Sequence, residues 1–298
     1  MKITVTTPTG NIGSKLSSIL LDRGSELTVI ARHPEKVKHL ADRGAKIIAG
    51  EHDNAAIVEQ AVQGSDALFW VMPPTSTSHD PLGDTRRFAD VGASVIRKFP
   101  DLRVVQISSV GAHRPSGTGP ISGLHYTEGK FRTVAKHFVA LRPNYFMENI
   151  FNSLHTIVTD GNIYTVSTGS ATAPQVATLD IAAISADILL APVEGQRIVD
   201  IVGPEEISFD DSADIISEAT GKTVRVVTVP GDKLKISYVQ AGLSPKVADL
   251  FIEMQGAFTR GLPHELLGYT KHIGKVTYRE FVREVFAPAM KNASASVA

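Results

Sequence analysis

The chain has 298 residues, with 30 Lys and Arg against 31 Asp and Glu, a net charge of −1 and no cysteine. So even a balance excludes a protein that tracks nucleic-acid phosphates, which needs surplus Lys and Arg to displace counterions. The missing cysteine removes disulfides, thiolate nucleophiles and zinc–thiolate sites together. No run approaches the roughly 20 apolar residues of a membrane span, and the opening MKITVTTPTG holds no apolar stretch of the kind that begins a secretory signal. A cytoplasmic location, with neither membrane nor nucleic acid as partner, is the expectation.

Lys2 to Thr6, rich in β-branched residues, predicts a first strand. Ile12, Leu16, Ile19 and Leu20 then fall on one helical stripe, which Gly24 closes. Leu27 to Ala31 predicts a second strand, with Pro34 suited to the first turn after it. Lys46 to Ala49 gives a third strand and Asn54 to Val62 a helix; Ala67 to Met72 is apolar without alternation, as in a strand covered on both faces. Phe88, Val91, Val95 and Ile96 mark a helix, Leu102 to Ser108 a fifth strand, Gly123 to Lys136 a helix and Phe138 to Leu141 a sixth strand. Strand–helix alternation with short loops implies parallel strands joined by crossovers. The fold class is therefore α/β, a doubly wound parallel sheet of Rossmann type.

Beyond Arg142 the rhythm loosens. Leu179 to Leu190 and Phe209 to Thr220 predict helices, Arg197 to Val202 and Thr223 to Val229 strands, and the remainder is mostly helical, ending on an amphipathic helix near Tyr278 to Phe286. This divides the chain into a nucleotide-binding domain over residues 1–150 and a smaller, mostly helical C-terminal substrate lobe over residues 151–298, partly interleaved with the sheet.

Thr7, Thr9, Gly10, Asn11, Ile12 and Gly13 lie between the first strand and the first helix, at the strand end where an open α/β sheet binds ligands. Glycine lets backbone approach a pyrophosphate, and the free N–H groups of the helix start hold the anion. On the G-x-x-G-x-x-G spacing, Thr7 takes the first glycine's place. The second strand ends at Arg32, with Lys36 a turn further on, where NAD-specific sites carry an acidic residue. A guanidinium there grips a 2′-phosphate in bidentate fashion, so the expected cofactor is NADP (NADPH). Asp53 after the third strand should flank the adenine, and Met72 and Pro73 after the fourth the ribose and nicotinamide.

The segments TTPTGNIG, ARHPEK, GEHD, ISSVGA, GLHYTEGKF and LRPNYFMEN, with VATLDIA and GPEEISFDD later on, together resemble the NmrA-like group of atypical short-chain dehydrogenases/reductases over nearly the whole chain. Thr7 departs from that group, whose loop more usually begins with glycine. The resemblance implies an NADPH-dependent oxidoreductase passing hydride to a hydrophobic aromatic, quinone-like or enone acceptor, related to quinone and triphenylmethane-dye reductases. It also implies the alternative of a non-catalytic NADP-binding redox sensor, since the group includes fungal regulators; an epimerase or dehydratase using bound dinucleotide stays open.

Hydride reduction needs a donor for the developing oxyanion. Ser108, which ends the fifth strand, is expected to line the cofactor site, and Tyr126 and Lys130 follow four apart on one helix face. The wider superfamily uses that spacing for a tyrosine proton donor assisted by lysine. NmrA-like relatives often place a histidine or lysine near this turn instead, which points to His125, a side chain able to donate a proton near neutral pH. Both assignments stand at this stage. Tyr145 and Phe146 follow the sixth strand, placed either to stack on a flat acceptor or to seal the joint between lobes. The ten histidines show no metal-binding spacing, so neither metal nor flavin is expected. The partner is a small hydrophobic molecule, and the chain acts as a monomer or homodimer.

Overall fold

The apolar run Ala67–Trp70 shows how the sheet is covered. Ala67 and Phe69 enter one layer of packing and Leu68 and Trp70 the other, all without solvent exposure. A strand with helices on both faces shows no polar side, so its sequence does not alternate. The computed structural model describes all residues except Pro74, Thr75, Val193 and Ala298.

In chain order the first half runs β1 (Lys2–Val5), α1 (Asn11–Asp22), β2 (Glu26–Ala31), α2 (Lys38–Ala41), β3 (Lys46–Ala49) and α3 (Ala55–Val62). It continues with β4 (Ala67–Trp70), α4 (Pro81–Ile96), β5 (Arg103–Ile107), α5 (Ile121–Arg132) and β6 (His137–Pro143). Helix α5 starts two residues earlier than the periodicity predicts, because Pro120 with φ −63° already has the geometry of a first turn. After β6 come α6 (Leu154–Asp160), β7 (Asn162–Thr165), β8 (Thr172–Ala173), α7 (Thr178–Leu190), β9 (Gln196–Val202) and β10 (Ile207–Ser208). Then follow α8 (Phe209–Thr220), β11 (Arg225–Thr228), α9 (Gly231–Gln240), α10 (Pro245–Thr259), β12 (Thr270–Ile273), α11 (Tyr278–Phe281) and α12 (Ala287–Val297).

Eight strands form one parallel sheet in the order β12-β9-β6-β5-β4-β1-β2-β3. Helices α1 and α7 cover one face through Leu16, Leu20, Ile181 and Leu189, and α3, α4 and α5 the other through Val58, Phe88, Val95 and Phe131. Strand order reverses between β1 and β4, which opens a crevice above the carboxyl ends of the strands. The C-terminal half does not merely lie beside the sheet: β9 and β12 extend it, while β7 with β11 and β8 with β10 make two small pairs. A separate core around Ile157, Ile216, Phe281 and Phe286 supports that half. Among the described residues, no helix is long and apolar enough to cross a membrane.

Candidate active site

The phosphate loop is shaped by contacts within itself. Gly13 packs so closely that a Cβ there would sit 2.2 Å from the Thr7 carbonyl oxygen, so only glycine fits. Gly10, with φ −77° and room for a Cβ, is not demanded by the chain's own geometry. Helix α1 has no side chain capping its first turn and no acidic residue in it, so its N–H groups and positive dipole end stay available to an anion.

Thr7 adopts φ +49°, the one described non-glycine residue with positive φ. A β-branched side chain in this left-handed region is strained by roughly 1–2 kcal/mol. Its Oγ1 is buried without a protein partner. Glycine at this position should relieve the strain at a smaller entropic cost, raising stability without nucleotide by roughly 0.5–1 kcal/mol. Urea unfolding of Thr7→Gly measures it; a loss of stability would mean the hydroxyl holds the free loop.

Two cavities meet above the strand ends. The first, about 310 Å³, is lined by Thr7, Thr9 and Gly10 from the loop, by Arg32, His33 and Lys36 after β2, and by Glu51 and His52 after β3. Arg32 is 58% exposed in its side chain, with Nη1 3.4 Å from Glu51 Oε1. His52 is buried at 3% exposure, its ring 4.9 Å edge-on to Trp70 and 4.7 Å from Phe88, with Nε2 3.1 Å from the Val71 carbonyl oxygen. Burial, with a smaller contribution from Arg32, pushes its pKa down to about 4, so the ring is neutral and donates to Val71.

The second cavity, about 370 Å³, is lined by Ile12, Met72, Ser108, Tyr145 and Phe146, and by Leu250, Met254 and Phe258 on α10. Among its described lining residues, none carries a charge. Pro73 borders both cavities. Tyr145 lines this pocket and packs edge-on against Phe258 of α10 and Phe209 of α8 at 5.5 and 6.0 Å, so it joins the two halves of the chain. Burial raises its phenol pKa far above the usual range, so it stays neutral.

The other predicted positions fall elsewhere. Asn11 opens α1 and gives its carbonyl to Lys15, while Asp53 faces a polar recess with Arg87, 3.9 Å away. Tyr126 and Lys130 lie together on the outer side of α5, both bound to Asp90 of α4 at 2.9 Å. The hydrogen bond to Asp90 holds the Lys130 ammonium above its usual pKa, and its Nζ lies 5.2 Å from the Tyr126 ring. His125 binds the Ala112 carbonyl oxygen through Nδ1 at 2.9 Å and lines a separate recess with His113, Glu128 and Arg142. None of the three lines the nucleotide cleft or the apolar pocket.

The sequence reading missed Glu128 and Arg142. Both are buried, with side chains at 5% exposure, and joined by two hydrogen bonds of 2.9 and 2.7 Å. Glu128 Oε1 also accepts the Ser108 hydroxyl at 2.5 Å. The apolar wall from α10 was missed too, although its stripe Val247, Leu250, Met254, Phe258 is visible in hindsight.

A glycine loop opening a helix, a basic strand end beside it and a crevice at the sheet's switch point define a Rossmann-type dinucleotide-binding protein. A sequence profile of the NAD(P)H-binding family matches residues 8–192, and the chain belongs to that family. An uncharacterised oxidoreductase of Bacillus subtilis, YesF, is 27% identical over 91% of this chain and 89% of its own length. Among solved structures, the NADPH-dependent quinone oxidoreductase of Escherichia coli, complexed with NADPH, superposes with a TM-score of 0.78 at 18% identity, covering 95% of this chain and 99% of its own. NmrA, a negative transcriptional regulator in complex with NADP, gives 0.73 at 14% identity, covering 98% and 97%. The chain thus shares the fold of NmrA, as the NmrA-like motifs led one to expect.

Proposed function

We propose that the protein is an NADPH-dependent reductase passing hydride to a hydrophobic, flat acceptor such as a quinone, an enone or an aromatic dye. The observation that carries the reading is that Pro73 stands in the wall of both a basic cleft and an uncharged aromatic pocket, so the two lie side by side. Gly10 and the first N–H groups of α1 take the diphosphate, with Thr7 Oγ1 beside it. Arg32, with Lys36 and His33, takes the 2′-phosphate. Bound in this way, the dinucleotide supplies the hydride. Residues 1–150 form the nucleotide half, and α10 closes the acceptor pocket from the C-terminal lobe.

The apolar walls exclude water from the transfer, and Tyr145 and Phe146 orient a planar ring. A pocket without charged side chains favours acceptors whose charge is delocalised over a conjugated system, since a localised charge would be desolvated there without a partner. Tyr126 and Lys130, committed to Asp90, take no part in this reading, and Tyr126→Phe should keep most of the turnover.

NADPH consumption across a panel of hydrophobic quinones, dyes and enones tests it. At least one acceptor should be reduced, and Met254→Lys, which places a charge in the pocket, should raise the acceptor KM while leaving NADPH affinity alone. Tight NADPH binding with no turnover on any acceptor, and a protein partner that co-purifies, would instead favour the redox-sensor alternative.

A further inference from the structure

The Ser108–Glu128–Arg142 triad stands in the wall between two spaces. Ser108, just past β5, lines the apolar pocket; Glu128, on α5, borders the recess behind it. A serine hydroxyl has one proton and two lone pairs. Here the proton goes to Glu128 at 2.5 Å. The carboxylate is in turn gripped by Arg142 through both oxygens, so all three groups are fixed in one arrangement. Toward the pocket, Ser108 therefore offers lone pairs and no proton.

Its place along the sheet says what it meets. Trp70 and Gln106 are register partners in β4 and β5, so Met72 and Ser108 stand side by side just beyond the strand ends. A dinucleotide running from Arg32 across the β1 loop to Met72 brings its nicotinamide half to this point. That half carries N–H donors on its carboxamide and O–H donors on its ribose. We propose that Glu128 is a positioning residue: ion-paired with Arg142, it draws the Ser108 proton out of the pocket and leaves Ser108 Oγ as a hydrogen-bond acceptor for the nicotinamide half of NADP. The inference rests on the cofactor reading given above.

The test compares two probes by calorimetry, without any acceptor present: NADP⁺, and 2′,5′-ADP, which keeps the adenine and 2′-phosphate but lacks the nicotinamide half. Ser108→Ala and the double replacement Glu128→Met with Arg142→Met, which removes the carboxylate while keeping the packing, should each weaken NADP⁺ about five- to tenfold, the loss of one hydrogen bond, and leave 2′,5′-ADP unchanged. A merely structural tie between α5 and β6 would lower the melting temperature without moving that ratio. Removing one partner of a buried ion pair is costly, so Glu128 and Arg142 are replaced together, which frees the Ser108 proton. Unchanged NADP⁺ binding by Ser108→Ala, including the case where only the acceptor KM rises, overturns the proposal. A selective loss in Ser108→Ala with none on removing the carboxylate overturns the role of Glu128. Wild-type protein that binds neither probe would defeat the cofactor reading itself and this inference with it.

Discussion

Arg32→Glu will lower the affinity for NADPH roughly a hundredfold or more, while NADH changes by less than about threefold. In the free cleft the guanidinium rests 3.4 Å from Glu51 and is largely open to solvent, so little holds it back from an incoming phosphate. Two charge-assisted hydrogen bonds to a 2′-phosphate contribute on the order of 3 kcal/mol. A carboxylate in the same place removes them and adds repulsion, reinforced by Glu51 next to it. NADH has only a hydroxyl at that position, which a carboxylate accepts well. Calorimetric titration of both nucleotides into wild type and variant decides the matter. Equal losses would show that Arg32 does not read the phosphate; a negligible loss of NADPH would move that role to Lys36 and His33, which share the cleft.

The fold was legible where local chemistry and tertiary context agreed. Lys46–Ala49 and Phe209–Thr220 fall where periodicity and the closing Gly221 put them, and Gly24 closes α1 at φ +75°. The edge of the sheet was not legible. All four residues of β12 are exposed, and Thr270–Ile273 reads as a polar stretch, because an edge strand has one neighbour and few side chains to bury. That Thr7, Thr9, Gly10, Arg32 and Lys36 would gather around one cavity could be read, because they sit at fixed offsets from strand ends, a property of the backbone. The apolar pocket could not, since its wall is brought by α10 from more than a hundred residues away. Glu128 shows the limit most clearly. It sits inside the Tyr-Thr-Glu-Gly-Lys segment that drew attention to Tyr126 and Lys130, yet one position on a helix decides which face a side chain takes, and the periodicity of a short glycine-containing helix does not fix that rotation.

Acid will weaken the protein through His52. In the folded chain its pKa is about 4, because the ring is buried against Trp70 and Phe88 and sits near Arg32; unfolded, it returns to 6.5. Below pH 6.5 the unfolded chain therefore binds a proton that the folded chain refuses until about pH 4. The contribution is fully present above the unfolded value, is lost as the pH falls through that window, and changes no further once both states are protonated. Integrated over the window it amounts to on the order of 3 kcal/mol. His52→Gln, whose amide can still donate to Val71, should match wild type less well near neutrality yet lose less stability on acidification. Urea unfolding of both proteins at about pH 7 and about pH 5 isolates the difference, since carboxylates common to both cancel. Parallel losses in the two proteins would mean the ring is not kept neutral. The nucleotide cleft should not respond over the same window, because the folded ring, which ties the loop after β3 to the end of β4 two residues before Pro73, stays neutral until about pH 4.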